Sequence, residues 1–299
     1  MKTIGNQSIV VGIDGSANSD AAVGWAAAEA TRRRLPLHLF SAGVRQIPGG
    51  ESIYQDPDLA ASITHEAVAA ADELLAAASV RARELAPDLT VTLESAVDRA
   101  AGGLVELSSH ADTLVLGRSG HGPMVGSVLG SVALQVVTHA QCPVVVVHES
   151  RADTTDARGV VVGIDGSAVS ELALGYAFEQ ASLRGTHLDV VHAWWSRDPR
   201  GLTQDIKADQ VTQERLTLSE ALVGWAEKFP DVDVRESLPM GPTVFTLTEA
   251  AKSAELLVVG SRGRGGFRSL LLGSVSQGVL AHAACTVAVV RARSVEDAA

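Results

Sequence analysis

The chain reads as an α/β protein: two doubly wound domains in tandem, each a five-stranded parallel sheet with helices on both faces. Three observations lead there. Short runs rich in Val, Leu and Ile alternate with longer, Ala-rich amphipathic runs, and the short ones lack strict polar alternation, as strands covered on both faces do. Strand–helix alternation of this kind means parallel strands joined by right-handed crossovers. The whole pattern also occurs twice. VVGIDGS at 10–16 returns at 161–167, an offset of 151. LGS at 129–131 and CPVVVV at 142–147 return as LGS at 272–274 and CTVAVV at 285–290, an offset of 143. Repeats of that length are domains rather than solenoid units.

In the first copy SIVVGID (8–14) is the opening strand. Ser16 stands where it caps the following helix, NSDAAVGWAAAEATRRR (18–34), and Ser167 does the same in the second copy. Arg32, Arg33 and Arg34 close that helix, where positive charge favours the negative end of the dipole. LPLHLFSAG (35–43) is the second strand, 59–85 a long helix, and LTVTLESAV (89–97) the third strand. AAGGLVELSSHA (100–111) is a helix and TLVLG (113–117) the fourth strand. After a glycine-rich loop come the helix SVALQVVTHA (131–140) and the fifth strand PVVVV (143–147). The two offsets differ by 8 residues, and RQIPGGESIYQDPD (45–58) faces the shorter SRDPRG (196–201), so the difference falls after the second strand. The expected boundaries are a first domain over 1–149, a linker over 150–158, a second domain over 159–293 and a tail over 294–299.

Composition bounds the function. The 299 residues suffice for two domains, and with 46% apolar but only 4% aromatic residues the cores must be built from Ala, Val and Leu. A formal charge of −11 argues against non-specific binding to nucleic acid or to an anionic membrane. Two cysteines make no disulfide framework and suit a reducing compartment. The start MKTIGNQSIV lacks a basic stretch before a long apolar core, and no run of about 18 apolar residues occurs. No leader and no membrane span are therefore expected, and the expected location is the cytoplasm.

The glycine loops carry the chemistry. In LGRSGHGPMVGSVLGS (116–131), Gly117, Gly120, Gly130 and Ser131 share the spacing of Gly260, Gly263, Gly273 and Ser274 in VGSRGRGGFRSLLLGS (259–274). Such a loop lets backbone N–H groups approach an anion closely, and the helix that follows adds free N–H groups and a positive dipole end. Each loop leaves the fourth strand at the edge where open parallel sheets bind ligands, so each is a candidate phosphate cradle. No G-x-x-x-x-G-K-[ST] and no G-x-G-x-x-G after the first strand is present. Instead the first strands end in GIDGS, which brings Gly12 and Asp14, and Gly163 and Asp165, to the same edge. A carboxylate there binds a ribose hydroxyl or helps hold a metal beside phosphates; the alternative is an Asx-turn or helix cap.

The copies differ inside the loop: Arg118, His121 and Met124 in the first, Arg262, Arg264 and Arg268 in the second. The three arginines either add charge to a triphosphate tail or face water. His139 with Cys142, and His282 with Cys285, offer two ligands each, short of the four a structural zinc takes, and read as structural. Trp194 and Trp195 either stack on a base or belong to core or interface.

GIDGS, the pattern G-x2-G-x9-G-S and the closing HAQCPVVVV and HAACTVAVV together resemble the universal stress protein family, over nearly the whole chain and twice in tandem. The resemblance implies strand order 3-2-1-4-5 and an adenine nucleotide, usually ATP, in each domain. It assigns the loop glycines and serines to phosphate and ribose, and Asp14 and Asp165 to the family's first-strand aspartate, with Mg as a possible companion. It puts the adenine beside the backbone near Ala42–Gly43 and Ala193–Trp194. The function it implies is a nucleotide-dependent stress-response and signalling module, a homodimer with a protein partner. No catalytic triad or dense metal cluster stands out, so the other readings are a slow ATPase or phosphotransferase, and an assembly protein without nucleotide.

Overall fold

The computed structural model describes residues 7–43, 57–120, 129–148, 159–195, 204–264 and 272–292. The loop residues His121, Met124 and Arg268, the linker 150–158 and the tail 294–299 lie outside the described residues. The chain divides into two compact units, Met1–Val147 and His148–Ala299.

The first unit runs β1 (Ser8–Ile13), α1 (Ala17–Arg33), β2 (Leu37–Gly43), α2 (Pro57–Leu85), β3 (Val91–Val97), α3 (Ala100–Leu107), β4 (Ala111–Gly117), α4 (Ser131–His139) and β5 (Val144–Val147). Its strands lie in the order β3-β2-β1-β4-β5, and every neighbouring pair is parallel. The second unit runs β6 (Val160–Gly163), α5 (Ala168–Arg184), β7 (Leu188–Val191), α6 (Gln204–Leu222), α7 (Trp225–Lys228), β8 (Val234–Ser237), α8 (Thr243–Ala250), β9 (Leu256–Gly260), α9 (Ser274–His282) and β10 (Thr286–Val290). Its order is β8-β7-β6-β9-β10, again all parallel. Both are the expected order 3-2-1-4-5. The chain winds outward from its first strand in one direction, then returns to wind in the other. With right-handed crossovers this puts α1 and α2 on one face and α3 and α4 on the other. α1 packs with α2 and α3 with α4, as that requires.

The strands form because their Val, Leu and Ile side chains are covered from both sides. Ile9, Val10, Val11, Leu114 and Val115 are fully buried, as are Val160, Val162, Leu257 and Val258. Ser16 and Ser167 are N-caps as expected, accepting from the N–H of Ser19 and Ser170 at 3.2 Å. The arginine run at the end of α1 does more than face the dipole. Arg33 turns inward, 8% exposed, bonding the fully buried Glu29 at 2.7 Å and Asp112 at the start of β4 at 3.1 Å. In the second unit Arg184 takes the same place with Gln180 and Glu255. A buried guanidinium, always charged, ties the first helix of each unit to the sheet.

Leu37 matches Leu188 at the first offset (188 − 37 = 151) and Val91 matches Val234 at the second (234 − 91 = 143), so the length difference lies between second and third strands. There the units diverge. α2 is one helix of 29 residues, whereas its counterpart breaks at Gly224, φ 78°, into α6 and α7. Beyond the break Trp225 joins Phe178 and Phe229 in a three-ring cluster, each pair of centroids 5.1 to 6.0 Å apart. Among the described residues no helix is long and apolar enough to cross a membrane.

Candidate functional site

The strand order reverses beside β1 and β6, and the crevice at their carboxyl ends is where ligands enter sheets of this type. Asp14 is the first residue beyond β1 and Asp165 the second beyond β6. In each, Oδ1 accepts from the backbone N–H of the serine two residues on at 3.0 Å and from its hydroxyl at 2.6 Å. The Asx-turn and the ligand role are thus compatible: one oxygen shapes the turn and the other faces the loop. In the second unit that other oxygen, Oδ2, accepts from Arg264 N–H at 2.7 Å. Burial pushes the Asp165 carboxyl up, but the bonds from Ser167 and Arg264 outweigh it and hold the group below the usual carboxylate range. Asp165 is therefore an anion at neutral pH.

The second glycine of each loop sits on this carboxylate. A Cβ at Gly120 would overlap Asp14 Oδ2, and one at Gly263 would overlap Asp165 Oδ2. The loop's two ends also meet. Gly130 N–H donates to Arg118 O and Gly273 N–H to Ser261 O, both at 2.8 Å. That folds the start of α4 or α9 back over the end of β4 or β9, so aspartate, loop backbone and helix start converge. Ser131 and Ser274 are the first residues of those helices, after extended N-cap glycines that offer no side-chain cap.

The units differ in how tightly the loop is seated. A Cβ at Gly117 would stand 2.7 Å from both the carbonyl carbon and oxygen of Asn18, in the first turn of α1. Asn18 Nδ2 in turn donates to Ser119 O at 2.9 Å and to its hydroxyl at 3.1 Å, latching the loop to the helix. Val169 replaces that asparagine in the second unit, and the space beside Gly260 is wider, with nearest neighbours at 3.1 to 3.3 Å. There the closure is reinforced by the buried Ser276, whose hydroxyl donates to Ser261 O at 3.0 Å. The space beside Gly12 and Gly163 is filled by the core leucines Leu116 and Leu104, and Leu247, so these two glycines admit packing beneath the crevice.

Other residues singled out from sequence fall as follows. Arg118 is half-buried, and burial lowers its pKa. Arg262 and Arg264 are exposed, but the Arg264 side chain lies against Gly166 and Thr217 in a cleft between α5 and α6. A Cβ at Gly43 would overlap the carbonyl oxygen of Ala67, so α2 sits directly on the end of β2. In the second unit Trp194 holds that position, 9% exposed and bridged to Met240, while Trp195 is 60% exposed. His139 and His282 each bond a carbonyl of their own helix at 2.9 and 2.8 Å, and Cys142 and Cys285 are buried thiols outside any disulfide. Among the described residues no group of three or more His, Cys, Asp and Glu is placed to hold a metal. Sequence reading passed over His192, buried after β7, whose Nδ1 bonds Ile164 O at 2.9 Å and Nε2 bonds Glu214 at 2.7 Å. Its counterpart Ser41 bonds Ile13 O at 2.9 Å. A lone histidine without periodic or motif context gave no signal for it.

The model of the universal stress protein family matches residues 5–148 and again 157–291. The chain belongs to the universal stress protein family. Among its relatives, Universal stress protein Rv2005c of Mycobacterium tuberculosis (strain ATCC 25618 / H37Rv) is 40% identical over 294 residues, 95% of this chain and 96% of that one. A universal stress protein of Mycolicibacterium smegmatis is 37% identical over 292 residues, 95% and 97% of the two chains. The crystal structure of a universal stress protein from Archaeoglobus fulgidus DSM 4304 shares the fold with a TM-score of 0.67 at 18% identity, covering 96% of this chain and 99% of that one. Both the duplication and the 3-2-1-4-5 sheet are thus those of a tandem member of the family.

Proposed function

We propose that this universal stress protein binds an adenine nucleotide, ATP foremost, in each unit at the carboxyl edge of the first and fourth strands. The observation that supports it most is the seat of Gly120 on Asp14 and of Gly263 on Asp165: a cradle closed to any side chain, repeated in both copies. Asp14 and Asp165 offer carboxylate oxygens to the ribose hydroxyls. Gly117, Gly120, Gly130 and Ser131, with Gly260, Gly263, Gly273 and Ser274, offer backbone N–H groups and hydroxyls to the phosphates at a helix start. Gly12 and Gly163 keep the floor of the crevice packed. A bound nucleotide would bring a phosphate tail, with Mg2+ held through that tail and one carboxylate, as that ion commonly is.

The biological reading follows from the family. The chain acts as a stress-response module, a homodimer in the cytoplasm whose nucleotide state alters the surface offered to a protein partner. The buried, reduced thiols Cys142 and Cys285 suit that reducing compartment. The deciding experiment is to denature purified protein, identify the released nucleotide by mass and count it per chain, then titrate ATP into nucleotide-stripped protein. Adenine nucleotide recovered at one or two per chain is the expected result. No nucleotide recovered and no heat of ATP binding would overturn the reading.

A further inference from the structure

Arg264 belongs to the second glycine loop, yet its side chain leaves it. Its N–H holds Asp165 Oδ2 at 2.7 Å. Its guanidinium lies on Gly166, where a Cβ would overlap Nη2 and stand 3.0 Å from Cζ. Thr217 Cγ2 comes within 2.8 Å of the same point. Arg264 thereby lines a cleft of about 200 Å3 with Ser167, Ser170, Glu171, Thr217 and Glu220. The cleft opens between α5 and α6, on the face opposite α8 and α9, whereas the phosphate cradle is built on the start of α9. In the first unit the equivalent point beside Gly15 is filled by Leu74, whose Cδ2 would stand 2.6 Å from a Cβ there. Leu74 is the counterpart of Thr217 at the offset of 143 (217 − 74). The first unit thus closes this point with an apolar side chain of the helix, and the second with a shorter threonine and a guanidinium from the loop.

We infer that Arg264 is a positioning residue: it moors the second loop to the α5–α6 cleft, holds Gly263 against Asp165, and does not itself contact the nucleotide's phosphates. This rests on the nucleotide reading above. The second loop lacks the Asn18 latch of the first, and a glycine-rich segment loses much conformational freedom when it closes on a ligand. A side chain lying against Gly166 and Thr217, in a cleft whose lining includes hydroxyls and two carboxylates, lowers that cost in advance. Such a contribution is the same whatever the length of the phosphate tail. A phosphate ligand would instead favour ATP over AMP.

The test uses the full chain with Asp14→Ala, so that titrations report the second site, and compares AMP with ATP. Arg264→Ala is expected to weaken both by the same factor, on the order of tenfold, with the thermal midpoint unchanged. Thr217→Leu, which introduces the first unit's filling and evicts the guanidinium, is expected to weaken both equally as well. In nucleotide-free protein, Arg264→Ala should speed amide exchange over 260–264, because opening of the loop becomes easier. A larger loss for ATP than for AMP, a gain in ATP affinity with Thr217→Leu, or unchanged affinities would overturn the inference. If the parent chain binds no nucleotide at all, the nucleotide reading fails instead, and unchanged amide exchange would then refute the mooring by itself.

Discussion

Replacing Gly263 with alanine tests the seat of the loop on its carboxylate. Gly263 has no left-handed φ, so the added methyl acts by contact alone. It overlaps Asp165 Oδ2, and both ways of relieving the overlap have a cost. Turning the carboxylate away surrenders the 3.0 and 2.6 Å bonds from Ser167, and withdrawing the loop surrenders the 2.7 Å bond from Arg264 N–H. A hydrogen bond to a charged group contributes about 1.5–3 kcal/mol, and about 1.4 kcal/mol is a tenfold change in affinity. If the ligand needs the closed arrangement, the second site should therefore lose about tenfold to a hundredfold in affinity for ATP. Calorimetric titration of the full chain measures this, with Gly120→Ala giving the matching loss at the first site. Two unchanged sites in Gly263→Ala would show that the contact with Asp165 has no part in binding.

Gly117→Ala should also cost stability, since its methyl meets helix backbone at 2.7 Å, which cannot swing aside as the end of a side chain can. A loss of about 1–3 kcal/mol in the first unit's unfolding by urea is expected, with Gly260→Ala milder. Glu29→Ala should lower the first unit's stability by about 3 kcal/mol, because it strips a fully buried carboxylate from Arg33. Glu29→Gln should be tolerated far better, as Gln180 already partners Arg184 in the second unit. The depressed pKa of Asp165 contributes stability above the unfolded aspartate value of about 3.9 and loses it as pH falls through the lower folded value. Asp165→Asn should therefore flatten the acid limb of a stability–pH curve, and an unaltered limb would contradict the bonding described. Burial pushes the Cys285 thiol up to about 11, so at pH 8 only about one thiol in a thousand is ionised. Thiol reagents should modify it only as fast as the second unit opens.

The duplication, the alternation of strands and helices and the glycine–aspartate edge were legible because each rests on a local pattern: exact repeats, apolar runs, glycine spacing. Ser16 and Ser167 were readable as caps for the same reason; the strand order came only with the resemblance to the family. Arg33 was not, because its role depends on Glu29 one turn back and on Asp112, which only the fold brings near. The direction of Arg264 was equally hidden. A loop arginine next to glycines suggests phosphate, and only the loss of volume from Leu74 to Thr217, on a helix far away in sequence, opens the space it enters. Gly12 and Gly163 illustrate the converse. They sit inside a recognisable motif, yet the space beside each is taken by leucines of the core.

The aromatic stack beyond the helix break also gives the molecule an optical asymmetry. Of its four tryptophans only Trp25 lies in the first unit. Trp225 lines the cleft that Arg264 enters, with its ring 5.1 Å from that of Phe178 and the Lys228 ammonium 5.0 Å above it. Indole emission responds to nearby charge and to solvent, so this residue registers whether the guanidinium is in or out of the cleft. With Trp25→Phe, every photon of tryptophan fluorescence comes from the second half, and that half of the chain can be followed by itself without any attached dye.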